Sequence, residues 1–265
     1  MAPDRPHAVP HRVSACVIVI GNEVLSGRTR DANIQMLGAG LASVGVRLTE
    51  ARVIVDDVDV IVETVNEVRA RHDYVFTTGG IGPTHDDMTA EAISKAFGTA
   101  LERNAEAMAR LQNHYGTGEL NAARLKMADI PRGAALIDNP VSQAPGFRLG
   151  NVFVLAGVPR IAAAMFDSIK HSLAGGPPVV SRAVAAYVRE GDLAEPLGAI
   201  QDTFNDLDLG SYPFVRNGRL GVSIVARGTD AVRVAAAIAA VAAAMRTLGA
   251  EPEAEDPCGS GDSVF

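Results

Sequence analysis

The sequence has no tryptophan, and aromatic residues make up only 5% of the chain. Platforms that stack single-stranded nucleic acid depend on aromatic side chains, so this class of binding protein is disfavoured. Cysteine is also scarce, because the chain has only Cys16 and Cys258, and their separation matches no common motif. We therefore expect neither a disulfide framework nor a cysteine-based zinc site.

The chain also has fewer basic than acidic residues, and it has no long apolar run. The 24 lysines and arginines face 31 acidic residues, giving a net charge of −7. This balance argues against a general nucleic-acid binder, but it leaves room for a local basic pocket that takes a small phosphorylated ligand. No apolar run approaches the roughly 18 residues of a membrane span. Residues 1–12 place proline and charge where a signal peptide would be apolar. We expect a cytoplasmic protein that binds neither nucleic acid nor a membrane.

The composition that remains is that of a folded protein, with 48% hydrophobic and 21% charged residues. Residues 1–12 predict a disordered arm, and the acidic segment 250–265, rich in small residues, predicts a flexible tail. The Ala-Gly-Gly-Pro-Pro stretch at 174–178 predicts a boundary between a domain at 13–175 and a smaller domain at 176–249.

Alternating strand and helix patterns predict the fold. Apolar runs at 13–20, 46–55 and 74–78 indicate buried strands, and the segments after them carry apolar residues at helical spacing. This order predicts a three-layer α/β/α fold with a mostly parallel sheet. Beyond residue 176, strands and helices in mixed order predict a small α+β domain. Its alanine-rich helix at 229–247 is compatible with assembly into a homo-oligomer, which we expect.

Three loops that follow predicted strands carry the polar residues, and in open α/β sheets ligands bind beyond the carboxyl ends of the strands. The first loop starts at Gly21, the second is the pair Asp56-Asp57, and the third runs from Thr77 to Asp87 as TTGGIGPTHDD. Glycines directly after a strand let backbone amides approach an anion. A tight structural turn explains them equally well, since the lysine of a P-loop and the third glycine of a dinucleotide fingerprint are missing.

The paired carboxylates also have two explanations. Asp86 and Asp87, beside a phosphate-binding loop, are suited to hold Mg²⁺, a hard cation that bridges phosphate oxygens. Alternatively, the spacing of Thr84 and Asp87 is that of a helix N-terminal capping pair, and acids in a first turn complement the helix dipole. For Asp56 and Asp57 the same alternatives exist, and the helix cap is favoured.

Taken together, these loops resemble those of the molybdopterin-binding (MoaB/Mog) domain family. The resemblance covers residues 13–173, and within the family it points to the N-terminal domain of CinA and to the related domain of FAD synthase. It extends more weakly through GSYPF (210–214) into the second domain. The matching stretches are the Asp56-Asp57 pair, IGNEVLSGRTRDAN (20–33), TTGGIGPTHDDMT (77–89), KMADIP (126–131), NPVSQAPGF (139–147) and LAGVPR (155–160).

The resemblance implies a glycine loop that binds the phosphate of a pterin or nucleotide. It implies catalytic roles for Asp87 and Asp56, and a divalent metal (Mg²⁺, Mn²⁺ or Co²⁺) held by Asp86 and Asp87, with molybdopterin as a further candidate ligand. The residues predicted to bind the ligand are Gly21, Glu23, Thr78, Gly79, Gly80, Gly82, Pro83, Thr84, His85, Asn139 and Gly146.

The function that the resemblance favours is hydrolysis of a nucleotide pyrophosphate such as ADP-ribose or FAD, a reaction that needs charge neutralisation and positioning more than a protein nucleophile. Two alternatives stay open: a molybdopterin adenylyltransferase of molybdenum-cofactor biosynthesis, and a pterin- or nucleotide-binding module without catalysis. Three departures from the family pattern keep the last alternative in view. Ala156 replaces a proline, Ser142 replaces a glycine, and Ile161 stands where relatives have an acid.

Overall fold

The computed structural model describes residues 13–116 and 119–257, and the chain divides into two compact units between Gly176 and Pro177. The predicted disordered arm at 1–12 lies outside the described residues. Among the helices within these ranges, none has the length and apolar character needed to cross a membrane.

The first unit contains a central sheet with helices on both faces. Its strands are β1 (Ser14–Ile20), β2 (Arg47–Ile54), β3 (Tyr74–Thr78), β4 (Leu101–Arg103), β5 (Asp129–Pro131), β6 (Ala135–Ile137), β7 (Gly146–Leu149) and β8 (Val152–Leu155). Its helices are α1 (Asn22–Leu25), α2 (Asn33–Ser43), α3 (Val58–Arg69), α4 (Thr89–Ala96), α5 (Ala105–Tyr115), α6 (Ala122–Lys126) and α7 (Pro159–Ile169), followed by a 3₁₀ turn at Lys170–Ser172.

The sheet runs in the order β2-β1-β3-β8-β7-β6. The first four strands are parallel to one another, whereas β7 pairs antiparallel with both β8 and β6. The predicted mostly parallel α/β fold is therefore confirmed. Strands β4 and β5 form a separate two-stranded sheet. The sequence pattern did not reveal β4, β5 and β7, because strands of three or four residues are too short to show a periodicity.

The apolar core occupies both faces of this sheet. Along β1, Cys16 and Ile18 pack with α3, α4 and α5, whereas Val17 and Val19 pack with α2 and α7. A strand buried on both faces reads as a continuous apolar run, which is why β1 is evident in the sequence. The same strand ends at Ile20, next to the loops that carry the polar residues.

The second unit is a four-stranded antiparallel sheet packed against two helices, which confirms the predicted α+β domain. The strand order is β10-β11-β9-β12. Residues Val234, Val241 and Met245 of the long helix are buried against the sheet. The elements are β9 (Val180–Ala186), α8 (Glu190–Thr203), β10 (Asp208–Arg216), β11 (Arg219–Gly228), α9 (Ala231–Thr247) and β12 (Glu253–Glu255).

The predicted tail at 250–265 is wrong for part of its length. Strand β12 pairs antiparallel with β9, and Glu255 forms an ion pair with Arg216. Backbone hydrogen bonds to the edge of a sheet do not require apolar side chains. An acidic segment can therefore form an edge strand although its composition does not predict one. Residues 258–265 of the predicted tail lie outside the described residues. The homo-oligomer stays a prediction.

Candidate functional site

A cleft of about 480 Å³ lies at the carboxyl ends of the parallel strands of the first unit. It is bordered by the loops that follow β1, β2, β3 and β8, together with the segment between β6 and β7. Parallel strands end at the same edge of a sheet, so loops that are distant in sequence converge there.

Most of the predicted site residues lie in this cleft. The structure brings together Glu23, Asp56, Gly79, Gly80, Gly82, Pro83, Asp86, Asp87 and Asn139. It places Gly21, Thr78, Thr84, His85 and Gly146 outside the lining. Ser142, Ala156 and Ile161, which the sequence marks as departures from the family pattern, also line the cleft. The lining residues that the sequence analysis did not name are Ile20, Ile81, Met127, Ala144, Gly157 and Val158. Most of the missed residues belong to the stretches that carry the family resemblance, so that resemblance was the signal that could have located them.

Gly79 and Gly80 are required by packing beneath the loop. Gly79 has φ +104°, and a Cβ there would lie 2.1 Å from the backbone oxygen of Ile20. Gly80 has φ +67°, and its Cβ would lie 2.2 Å from Oγ1 of Thr89. The buried Thr89 hydroxyl donates to the Gly79 oxygen at 3.0 Å, and the Thr89 amide donates to the Gly80 oxygen at 3.0 Å. The tight-turn explanation therefore accounts for both glycines, while the loop that they form still lines the cleft.

Asp87 closes a turn within this loop. Its Oδ2 accepts hydrogen bonds from the backbone amide of Thr84 at 2.8 Å and from the Thr84 hydroxyl. Helix α4 begins only at Thr89, and the residue before it, Met88, makes no side-chain cap. Of the two explanations that the sequence left open, the helix cap formed by Thr84 and Asp87 is therefore wrong. The chain first turns back, so that the Thr89 amide bonds to Gly80, and only then enters the helix.

Asp86 is exposed at the mouth of the cleft and is held ionised. Hydrogen bonding from the Thr84 side chain and from its own backbone, together with the positive potential of His85 and Lys126, lowers its pKa below the usual range. Lys126 is anchored by donating to the Thr84 backbone oxygen at 2.9 Å. The His85 side chain is 98% exposed, so His85 lies in solvent rather than among the lining residues.

Asp56 and Asp57 have separate tasks. Asp57 is the N-cap of α3, accepting from the amides of Asp59 at 3.0 Å and Val60 at 3.1 Å, which confirms the cap that the sequence favours. Asp56 instead accepts from the Asn22 amide at 2.7 Å and lines the cleft. This hydrogen bond joins the loops after β1 and β2. Of the two acids, Asp57 caps the helix and Asp56 contributes its carboxylate to the cleft.

This division predicts different consequences for the two acids. Asp57→Ala should lower the free energy of unfolding by about 1 kcal/mol, because α3 loses its cap. Metal and nucleotide binding should remain within error, since Asp57 is not a lining residue. Urea denaturation and titration calorimetry measure the two quantities. Asp56→Asn is the matched control. It should leave the free energy of unfolding unchanged, because the α3 cap is retained, and it should weaken ligand binding. Loss of binding in Asp57→Ala, or loss of stability without loss of binding in Asp56→Asn, contradicts this division.

Gly21 makes room for Glu23. The Gly21 backbone is extended, and a Cβ there would lie 2.7 Å from both carboxylate oxygens of Glu23. The Glu23 side chain therefore folds back over Gly21, at the end of β1. Gly21 acts by letting this carboxylate take its position in the cleft wall, rather than by lining the cleft itself.

Asn139 shapes the far wall of the cleft from a buried position. Its amide nitrogen donates to Ser142 Oγ at 2.7 Å and to the Ala144 oxygen at 2.8 Å. Its oxygen accepts from the amides of Val141 at 3.1 Å and Ser142 at 3.2 Å. Both polar atoms of the side chain are thus used to hold the segment that follows, so Asn139 acts on a ligand mainly by fixing this wall.

Two further predicted residues lie within the sheet. Gly146 belongs to β7, and a Cβ there would lie 2.3 Å from the backbone oxygen of Val154 in the neighbouring strand. The Thr78 side chain is buried at the end of β3, and its hydroxyl has no hydrogen-bond partner. Gly146 therefore serves strand packing, and Thr78 occupies the buried end of the strand that leads into the glycine loop.

The cleft is strongly acidic on one side. Glu23, Asp56, Asp86 and Asp87 line it, and no lysine, arginine or histidine is among the described lining residues. Lys126 lies just beyond this lining, in an adjoining depression that shares Gly80, Gly82 and Asp87 with the cleft. Carboxylates that line one cleft favour a bound cation over a bare anion. The remaining side chains of the lining are largely apolar and include Ile81, Met127, Ala144, Ala156, Val158 and Ile161.

The three departures from the family pattern all border this space. Ser142, Ala156 and Ile161 line the same cleft as the four carboxylates. Ile161, in the first turns of α7, is partly buried and packs with the core on the α2 side. The position where the family resemblance implies an acid thus presents an apolar side chain to the cleft.

Comparison with known proteins agrees with this geometry. Residues 16–175 match the sequence model of the family described as "Probable molybdopterin binding domain", and residues 178–252 match that of "FAD synthase, middle domain". Protein Ta0487 of Thermoplasma acidophilum is 32% identical over 226 residues, which cover 82% of this chain and 88% of that protein. The probable FAD synthase of Caenorhabditis elegans is 32% identical over 242 residues, which cover 80% of this chain but only 46% of the worm protein.

A solved structure shares the architecture of the first unit. The crystal structure of the protein CinA with unknown function, from Thermoplasma acidophilum, matches with a TM-score of 0.57 and 37% sequence identity. The match covers 60% of this chain and 96% of that one. The resemblance seen in the loops is confirmed, and the chain belongs to the molybdopterin-binding domain family, as a CinA-like member with a second domain of the FAD synthase middle type.

Proposed function

We propose that this chain is a divalent-metal-dependent hydrolase of a nucleotide pyrophosphate bond, of the ADP-ribose or FAD class. The observation that carries the proposal is the cleft itself, where four carboxylates and a glycine loop meet without a cationic side chain among the described lining residues. A pyrophosphate is repelled by such a wall unless a cation enters with it. The metal and the phosphates therefore belong to one binding event.

The donor set fits a hard divalent cation. Carboxylate oxygens are the ligands that Mg²⁺ and Mn²⁺ prefer, and Mg²⁺ is commonly held by one or two carboxylates together with substrate phosphates. Within the described part of the chain, the acids of the cleft do not form a closed set of three converging ligand atoms. Phosphate oxygens would complete the coordination, with Asp86 and Asp87 as the proposed protein ligands. When bound, the metal neutralises the pyrophosphate charge.

The chain's own residues position the reacting groups. The Thr84 amide and hydroxyl fix the orientation of Asp87, and the Asn22 amide fixes Asp56. We expect the phosphates to lie against the glycine loop. The apolar part of the lining suits a flat heterocycle, and a cleft of about 480 Å³ falls in the size range of small-molecule sites.

Hydrolysis then needs only water and a proton acceptor. Water attacks one phosphorus, the bond from the bridging oxygen to that phosphorus breaks, and two phosphomonoesters leave. The proton of the attacking water goes to a carboxylate of the cleft, and Asp56 is the group we assign to this step. No cysteine or histidine is among the described lining residues, which is consistent with direct attack by water.

A binding module without catalysis is the second candidate, favoured by one specific observation. Ile161 places an apolar side chain in the cleft, at the position where the family resemblance implies an acid. In that case the cleft takes a pterin or nucleotide without turnover. Adenylylation of molybdopterin is the third candidate, supported by the family description of residues 16–175.

A product assay separates the three candidates. The full chain is incubated with FAD, with ADP-ribose, or with ATP plus molybdopterin, each in Mg²⁺, Mn²⁺ or Co²⁺. Release of AMP from FAD or ADP-ribose is the expected result. Adenylylated pterin in place of AMP release supports the transferase, and binding without any product supports the module; either outcome overturns the hydrolase.

A further inference from the structure

A second group of metal-ligating side chains lies apart from the cleft. Cys16, Glu50 and His72 each offer one ligand atom, and these three atoms lie within 4.8 Å of one another. Among the residues that the structure describes, no other trio of histidine, cysteine and acidic side chains converges in this way. Cys16 lies near the start of β1, whereas the cleft lies at the end of that strand. The two places are therefore distinct.

A bulge between two strands creates this juxtaposition. Ala15 pairs with Leu48, but the next residue of β1, Cys16, pairs with Glu50, so that Thr49 is the extra residue in β2. A bulge re-aims the side chains that follow it. Here it sets the Glu50 carboxylate opposite Cys16, on the face of the sheet where Cys16 packs with α3.

His72 supplies the third ligand atom in a defined tautomer. It follows α3, and its Nδ1 lies 3.0 Å from the backbone oxygen of Val68. That oxygen can only accept, so Nδ1 donates to it and Nε2 is left as the ligand atom, 3.5 Å from Glu50 Oε2. Histidines that ligate metals have this arrangement, with the second ring nitrogen donating to a carbonyl or carboxylate.

The charges around the trio allow a divalent cation. Glu50 Oε1 is held by Arg52 at 2.6 Å, while Oε2 is shared between His72 and Arg71. Arg71 also contacts Glu67, and its side chain is 52% exposed, so it can turn to Glu67 and solvent when a cation takes Oε2. Arg52 and Glu67 then remain paired with each other.

The three donor atoms favour one class of cation. Cys16 is fully buried in the core, and its sulfur lies in one group with an imidazole nitrogen and a carboxylate oxygen. Zn²⁺ is the divalent cation that commonly takes sulfur, imidazole and carboxylate ligands together.

We propose that the chain binds one Zn²⁺ through Cys16 Sγ, Glu50 Oε2 and His72 Nε2. One bond forms between zinc and sulfur, the S–H bond breaks, and one proton is released to solvent. The thiolate and the carboxylate together balance the charge of the ion. The site joins β1, β2 and the segment after α3, so its role is to stabilise the first unit. Ligands this far apart in sequence form no motif, which is why spacing predicts no cysteine-based zinc site.

Cobalt substitution tests the proposal on the full chain. In a Cys258→Ser background, so that Cys16 is the single thiol, metal-free protein is titrated with Co²⁺. We expect one equivalent to bind with a thiolate-to-cobalt absorption band, and Zn²⁺ to abolish the band and raise the Tm. One proton should be released per ion, so that the association constant rises about tenfold per pH unit. Absence of the band, or binding without proton release, overturns the proposal.

Variants identify the ligands and separate this site from the cleft. Cys16→Ala should eliminate the band, and His72→Gln should weaken Co²⁺ binding by at least about tenfold. Circular dichroism checks that each variant is folded, and the partly exposed His72 provides the test if Cys16→Ala fails to fold. His171→Gln, at an exposed position, is the matched control. Asp87→Asn should retain the band. Unchanged binding in folded His72→Gln contradicts the assignment.

Discussion

Asp87→Asn is expected to lower the turnover of the pyrophosphate substrate by about 100-fold or more, because the cleft loses a negative charge that holds the metal against the phosphates. The fold should persist. An asparagine oxygen still accepts the hydrogen bond from the Thr84 amide, and α4 does not depend on Asp87 for a cap. The measurements are AMP release at saturating Mg²⁺ and the Tm of the variant.

Thr84→Val is the matched control for this substitution. It removes the hydroxyl that bonds to Asp87 but leaves the backbone amide and both neighbouring carboxylates in place. The expected loss of turnover is within about tenfold, since a misplaced group costs less than a missing charge. Two results would show that Asp87 serves only the shape of the loop. One is full turnover by folded Asp87→Asn, and the other is a loss of turnover in Thr84→Val that exceeds the loss in Asp87→Asn.

Gly79→Ala should lower the free energy of unfolding of the first unit by about 3 kcal/mol or more, through two separate effects. Its φ of +104° is strained for any residue with a Cβ. The added carbon would also lie 2.1 Å from the backbone oxygen of Ile20, which is fixed in the central strand. The glycine loop must then move away from β1, and nucleotide binding should be lost together with stability. Urea denaturation and titration calorimetry report the two effects.

Gly98→Ala isolates the contribution of the backbone angle. Gly98 has φ +62°, but no atom lies within 4 Å of an added Cβ. The expected cost is about 1 kcal/mol, from the left-handed conformation alone, and nucleotide binding should be unchanged. Equal destabilisation by the two substitutions would contradict the claim that the glycine loop is fixed by close approach to β1.

The elements with strong local patterns could be predicted from the sequence. Strands β1 and β3 are buried apolar runs, and α3 shows both a helical apolar face and the cap at Asp57. The convergence of Asp56, Asp87 and the glycines follows from the rule that parallel strands end at one edge. These features are local in sequence or follow from topology, so no knowledge of packing is needed.

Features that depend on tertiary contacts could not be predicted. Helix α4 starts as late as Thr89 because the Thr89 amide donates a hydrogen bond to the Gly80 oxygen. The same close approach of Thr89 leaves no space for a Cβ at Gly80. Strand β12 depends on the edge of β9. The pairing of Cys16 with Glu50 depends on a bulge that no periodicity marks.

The central claim is that phosphates enter the acidic cleft only with a divalent cation, and titration calorimetry of metal-free protein with AMP tests it most directly. Mg²⁺ is the added ion, because it prefers oxygen ligands and leaves the thiol of Cys16 untouched. We expect AMP to bind at least about tenfold more tightly with Mg²⁺ than without it, since the four carboxylates otherwise repel the phosphate. Equal affinity with and without Mg²⁺, or no binding in either condition, would contradict the account.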